Sequence, residues 1–163
     1  MKIRKVEEKD LNEVLEIYNQ GIEDRIATLE VEQKNYEYIR SWFQIHQGRY
    51  TALVALNSRE KVVGWASINP YNQREVYKGV GEISVYIHRN FRGKGIGQKL
   101  LEQLELEAKK NDFYKLVLFT FPFNSLGLSL YKKMKFRVVG IFQKQGILDG
   151  EFVDVMAMEK IIL

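Results

Sequence analysis

The segment FRGKGIGQKLL, residues 91–101, sets three glycines and three cations between Arg92 and Lys99 and then runs into a leucine-rich pattern of helical period. Gly93, Gly95 and Gly97 carry no side chain, so the backbone can turn sharply and a bulky group can approach its N–H donors. Ile96, Leu100, Leu101, Leu104 and Ala108 recur as one stripe, with Glu102, Glu105 and Lys109 facing away, which predicts an amphipathic helix from about Ile96. The unpaired N–H groups and the dipole at such a helix start favour an anion. Arg92, Lys94 and Lys99 add positive charge at the same end, and the preceding VGEISVYIH reads as a strand. A strand, a glycine-rich turn and a helix N-terminus are the parts of a phosphate cradle. Spacing removes two familiar versions of it. A P-loop ends in Gly-Lys-Ser/Thr, whereas Gly97 is followed by Gln98 and Lys99, and the dinucleotide fingerprint needs a glycine where Gln98 stands.

Outward from this segment the chain reads as alternating elements. Lys2 to Val6 alternates polar and apolar as a short strand should, and Asp10 stands where a helix N-cap belongs, ahead of Leu11, Val14, Leu15, Ile17 and Tyr18 at helical spacing. GIEDRIATLEVEQ then reads as a connection to a second helix over about Tyr36 to His46. YTALVAL and KVVGWASI are β-rich runs joined by NSRE, and the loop NPYNQREVYKG leads into the VGEISVYIH strand. After the glycine-rich segment and its helix, KLVLFTF is apolar on nearly every residue, as a strand covered on both faces is. NSLGLSLYKKM follows as a short helix with Asn124 near its start. FRVVGIFQKQG and EFVDVMAMEKI close the chain as two strands around Asp149-Gly150, the strongest hairpin signal present. The expected fold is mixed α/β: a mostly antiparallel twisted sheet of six to seven strands, flanked by about four helices, in one domain over residues 1–163.

Composition narrows the chemistry. Twenty-five Lys and Arg against 21 Asp and Glu leave a net charge of +4, mild and without a basic run of the kind that binds nucleic acid. The chain has no cysteine, so disulfides, thiolate zinc sites and an acyl-cysteine intermediate are excluded. His46 and His88 are the only histidines and lie far apart in sequence, so no metal site is expected. No apolar run approaches the roughly 18 residues of a membrane span. The first residues lack the apolar stretch of a signal sequence, and a soluble cytoplasmic protein is expected.

Arg92-x-x-Gly95-x-Gly97, between a strand and a helix, resembles the R/Q-x-x-G-x-G/A acetyl-CoA pyrophosphate loop of the GNAT N-acetyltransferases. NSLGLSLYKKMKF is similar to that family's later segment. IYNQGI, RSWF, REVYKGVGEISVYIHRNFRGKGIG and ILDGEFVDVMAMEK resemble its phosphinothricin acetyltransferase branch. The resemblance implies a sheet whose central strands splay to hold acetyl-CoA. It implies cofactor contacts from Val85, Tyr86, Ile87, Arg92, Gly93, Lys94, Gly95, Ile96, Gly97, Gln98 and Asn124, with the Val85 N–H on the thioester carbonyl. Glu82, on one strand face with Ser84 and Tyr86, is the implied base for an ammonium acceptor, since a carboxylate suits that proton transfer. Tyr131 corresponds to the tyrosine that protonates the departing thiolate, or else anchors its helix. Asn124 is a helix cap, a cofactor contact, or both.

Arg74 and Tyr77 match an arginine and a tyrosine of that branch, and an arginine suits a bidentate grip on an acceptor carboxylate or phosphinate. The expected acceptor is a small amino acid or analogue of the phosphinothricin or methionine sulfoximine type. The alternatives are a protein terminus, lysine, polyamine or aminoglycoside, or a CoA-binding regulatory domain without turnover. A homodimer is implied by the branch alone. Two positions depart from the pattern: Lys135 stands where glycine is usual before the aromatic Phe136, and Tyr131 where some members carry histidine.

Overall fold

Strong local signals set the elements in the computed structural model, which describes residues 1–163. In chain order they are β1 (Lys2–Lys5), α1 (Leu11–Glu23), α2 (Tyr36–Ile45), β2 (Ala52–Leu56), β3 (Val62–Pro70), β4 (Val80–Ile87), α3 (Ile96–Lys110), β5 (Lys115–Thr120), α4 (Ser125–Lys133), β6 (Arg137–Leu148) and β7 (Glu151–Ile161). The seven strands form one sheet in the order β1-β2-β3-β4-β5-β7-β6. Every neighbouring pair is antiparallel except β4 with β5, the two strands that α3 links. The mixed α/β sheet with four flanking helices is as the sequence predicts.

The faces of the sheet are covered separately. Leu100, Leu104 and Ala108 of α3 pack with Ile68, Leu118 and Met158 on one side. Leu11, Val14 and Ile17 of α1 and Ile39 of α2 pack with Val54, Val62 and Trp65 on the other. Leu116, Val117 and Leu118 of β5 are all buried, Leu116 and Leu118 against the α3 side, in keeping with its apolar run. The Asp149-Gly150 turn has positive φ at both residues, 51° and 84°, the backbone that matches strand twist in a two-residue hairpin.

β4 supplies the opening that matters. Its ladder with β3 runs the full length from Pro70↔Gly81 to Gly64↔Ile87, but its pairing with β5 stops after Glu82↔Val117. β5 continues to Thr120 on β7. From Ile83 onward the two strands are each bonded on one side only, and a wedge opens between them. The His88 N–H donates to the Val63 carbonyl at 2.9 Å, on the β3 side. Alternation along a strand then turns the N–H groups of Ile83, Val85 and Ile87 the other way, toward the wedge.

Some local expectations differ. Asp10 does not cap α1 with its side chain: its carboxylate receives Arg4 at 2.7 and 2.9 Å and the Glu7 N–H at 2.8 Å, because a short 3-10 turn over Glu8–Asp10 precedes the helix. Helix α1 extends through Gly21–Glu23, which the sequence reading gave to a connection, since Ile22 buries its side chain against the sheet. Asn69 and Pro70 end β3 rather than starting a loop, with Pro70 as the last residue, where a missing N–H is tolerated.

Lys135 follows the C-cap of α4 at φ 71°, and the Phe136 N–H closes onto the Tyr131 carbonyl at 2.9 Å, a helix stop that ordinarily carries glycine. Lys135→Gly is therefore expected to stabilise the fold by about 0.5–1 kcal/mol in denaturant unfolding, because glycine has no Cβ penalty in the left-handed region.

Candidate active site

The wedge is the mouth of a cleft of about 470 Å³ bounded by β4, the turn before α3, and α4. Of the residues expected at a cofactor site, Val85, Tyr86, Ile87, Arg92, Gly93, Gly95, Ile96, Gly97, Gln98, Asn124 and Tyr131 line it. The loop is built by three glycines with different duties. Gly93 and Gly95 hold φ of 74° and 83°, which turns successive N–H groups to one side. Gly97 lies in the first turn of α3, where a Cβ would come within 2.8 Å of Leu130 Cδ2, so its absence lets α4 close on α3.

The backbone N–H groups of Gly93 through Gln98 have no intramolecular acceptor. That is a run of donors at a helix N-terminus, and it fits a diphosphate in charge and in hydrogen-bonding capacity. Arg92 is less free than the sequence suggests. Its Nε donates to the Ile87 carbonyl at 3.3 Å and its Nη1 meets Asp24 Oδ2 at 2.7 Å. Lys94 is exposed, does not line the cleft, and sets its Nζ over the Phe91 ring, 5.3 Å from the centroid.

Asn124 is buried and its side chain is committed to the protein. Its Oδ1 accepts the Gly127 N–H at 3.1 Å and its Nδ2 donates to Thr120 Oγ1 at 3.2 Å. A Cβ at Gly127 would collide with this amide, so the Asn124–Gly127 pair is one device that starts α4. Tyr131 follows on α4 with its ring buried edge-on to Phe136, and its hydroxyl has no hydrogen-bond partner. Burial pushes that phenol up to about 12, so it is protonated at neutral pH.

Glu82 lies outside the cofactor cleft, on the opposite face of β4 from Val85, with Ser84 and Tyr86. The two residues are three apart, about 10 Å along the strand. Glu82 is half-buried, and burial holds its carboxyl above the ordinary glutamate range. Beside it, Asn69 donates to Ser84 Oγ at 2.9 Å and accepts from Ser67 Oγ at 2.9 Å. Buried His46 Nε2 is also 2.9 Å from the Asn69 oxygen, and burial lowers that imidazole's basicity. Tyr18 packs edge-to-face on Trp65 and Tyr86, Trp42 does so on Trp65, and Trp65 meets Tyr86 at a tilt of 39°.

Arg74 and Tyr77 are exposed in the β3–β4 connection, at the end of β4 away from the glycine turn and outside the cleft. Tyr77 packs edge-on against Tyr71, 5.8 Å between centroids. Sequence reading missed Asp24, Ile26 and Ala27, which reach the cleft from the end of α1, and Phe123, Leu126 and Lys133 around α4. Asp24 and Arg92 are far apart in sequence, and no local pattern signals their pairing.

The acetyltransferase (GNAT) family model matches residues 12–136. The chain belongs to the GNAT acetyltransferase family. Among its relatives, the L-methionine sulfoximine/L-methionine sulfone acetyltransferase of Pseudomonas aeruginosa is 28% identical over 152 residues, covering 92% of this chain and 88% of its own. A phosphinothricin acetyltransferase from Sinorhizobium meliloti, solved in complex with AcCoA, superposes with TM-score 0.93 at 25% identity, over 98% of this chain and 87% of that one. A ribosomal-protein-alanine N-acetyltransferase from Brucella melitensis gives TM-score 0.94 at 30% identity, over 99% of each chain. The chain is thus an acetyl-CoA-dependent N-acetyltransferase, and the splayed strands and free N–H groups are what that co-substrate needs.

For this GNAT chain, Gly95→Val is expected to raise the acetyl-CoA dissociation constant about tenfold or more, read by calorimetry. A β-branched residue at φ 83° is strained and displaces the donors. An unchanged constant would remove the loop from cofactor binding.

Proposed function

We infer that the protein moves the acetyl group of acetyl-CoA to the primary amine of a small amino acid or close analogue, of the phosphinothricin or methionine sulfoximine type, by direct attack in a ternary complex. The observation that carries this reading is the division of β4. Its odd-numbered N–H groups face the cofactor wedge, and a half-buried carboxylate, Glu82, sits on its other face. The activities for which the Pseudomonas and Sinorhizobium proteins are named support the acceptor class.

In the proposed mechanism the acceptor ammonium gives a proton to Glu82, directly or through water, and burial makes that carboxylate a stronger base than usual. The free amine attacks the thioester carbonyl, a C–N bond forms, and the oxygen's growing charge is met by the Val85 N–H. One such donor is typically worth about 100-fold or more in rate. The attacking nitrogen, left positively charged with two protons, gives one of them to water, the C–S bond breaks, and the thiolate takes the proton of the Tyr131 hydroxyl, which has no other partner. Solvent then restores the phenol and takes up the proton held by Glu82. With no cysteine in the chain, no acyl-cysteine stage is available. The guanidinium of Arg74, which has no salt-bridge partner, is proposed to hold the acceptor's acidic group near Tyr77. The reaction is assigned to the cytoplasm, where acetyl-CoA is made and used, and to a single domain spanning residues 1–163.

A second acceptor class has its own support, because the Brucella structure carries the name of a protein-alanine acetyltransferase at similar likeness. A CoA-release assay over amino acids, methionine sulfone and sulfoximine, phosphinothricin, polyamines and alanine-starting peptides separates the two. Turnover is expected with the amino-acid analogues, and turnover confined to peptides would overturn the small-acceptor reading. Glu82→Gln and Tyr131→Phe are each expected to lower kcat by about 100-fold, with little change in acetyl-CoA affinity. Because the Glu82 carboxyl titrates above its ordinary range, kcat/KM should fall on the acid side earlier than an exposed glutamate would cause. That acid limb should vanish in Glu82→Gln.

The homodimer is proposed on β6, which pairs with β7 alone and exposes Val139, Ile141 and Phe142 along an open edge. Sedimentation velocity is expected to give twice the chain mass, and Phe142→Glu to shift it toward one; a monomeric wild type would refute this.

A further inference from the structure

Asp24 ends α1, and its carboxylate is divided between two arginines of the segment that follows β4. Its Oδ2 meets Arg92 Nη1 at 2.7 Å, and its Oδ1 meets Arg89 Nη2 at 2.7 Å. The residue lines the same cleft as Gly93, Gly95 and Gly97. A negative charge is therefore built into the place where the diphosphate of the co-substrate brings its own. The two arginines hold the Asp24 carboxyl below its ordinary range, so protonation does not remove that charge at neutral pH.

Two roles for such a contact predict opposite effects. If Asp24 positioned Arg92 for phosphate, Arg92 would depend on it. Arg92 has another anchor, the Nε–H to the Ile87 carbonyl at 3.3 Å, which holds the guanidinium at the end of β4 without Asp24. Asp24 also has another partner, because Arg89 keeps it at 2.7 Å, and the Arg89 backbone N–H is fixed on Gln20 Oε1 at 2.9 Å. Arg92 Nη1 can thus pass from carboxylate to phosphate while every other contact of both residues stays in place. Competition is the cheaper arrangement.

We propose that Asp24 is a built-in competitor for the diphosphate of acetyl-CoA, holding Arg92 Nη1 when no cofactor is bound, yielding it to phosphate on binding, and reclaiming it as CoA leaves. It moderates affinity for donor and product alike and speeds release of CoA, product release being the slow step in many enzymes. Ile26 and Ala27 line the cleft directly after it, so the exchange takes place where the connection to α2 begins.

The proposal rests on acetyl-CoA binding in this cleft. The test compares wild type, Asp24→Asn and each with Arg92→Gln, with binding of acetyl-CoA measured by calorimetry. S-acetylpantetheine, which lacks the diphosphate, is measured by competition. Asp24→Asn should bind acetyl-CoA about threefold to fivefold tighter at low salt, the size of one partly exposed charge contact, with the gain shrinking as salt rises. S-acetylpantetheine should be unaffected, and the gain should disappear in the Arg92→Gln background. Unchanged or weaker binding by Asp24→Asn, an equal gain for both ligands, or a gain that survives Arg92→Gln would overturn the proposal. Failure of the wild type to bind acetyl-CoA would instead remove the cofactor assignment on which it rests.

Discussion

The divergence of β4 from β5 after Glu82 is the constraint on which the rest of the structure depends. A parallel pair that continued to Ile87 would bond the N–H groups of Val85 and Ile87 to β5 and leave nothing for a ligand. Because β4 keeps its ladder with β3 and β5 keeps its ladder with β7, the sheet remains one body while its centre opens. Backbone polar groups that are unpaired inside a protein are costly, so such a wedge is a place prepared for a partner that can pair with strand backbone.

The same divergence fixes the geometry of the glycine turn. β4 ends at the wedge mouth, so the chain must reverse there to start α3, and the positive φ of Gly93 and Gly95 makes that reversal with the N–H groups turned outward. Gly97 then lets α4 approach through Leu130, which brings Tyr131 to the wedge. On the far face of β4 the environment changes from open and basic to half-buried and aromatic, and Glu82 there becomes a stronger base. One strand thus carries the backbone N–H groups that face the wedge and the half-buried Glu82 carboxylate.

Much of this is legible in the sequence. The 91–101 segment, the buried run of β5, the Asn124 helix start and the Asp149-Gly150 hairpin each rest on local rules of backbone conformation, and each appears as expected. What local rules leave out is competition for a side chain. Asp10 reads as a cap, but Arg4 and the Glu7 N–H take its carboxylate. Arg92 reads as a phosphate ligand, and it also meets the Ile87 carbonyl and Asp24. Lys94 reads as part of the cradle, and its ammonium lies over the Phe91 ring.

By itself the sequence determined the order of elements, the glycine turn and the family of the chain, because strand alternation, helix period and left-handed glycines are properties of neighbouring residues. Only the tertiary structure decided that β4 and β5 part after Glu82, that Glu82 lies half-buried and outside the cleft, and that Asp24 reaches Arg92 from the end of α1. Those facts depend on which chain segments pack side by side, and the free energy that selects them is spread over two cores on either side of the sheet.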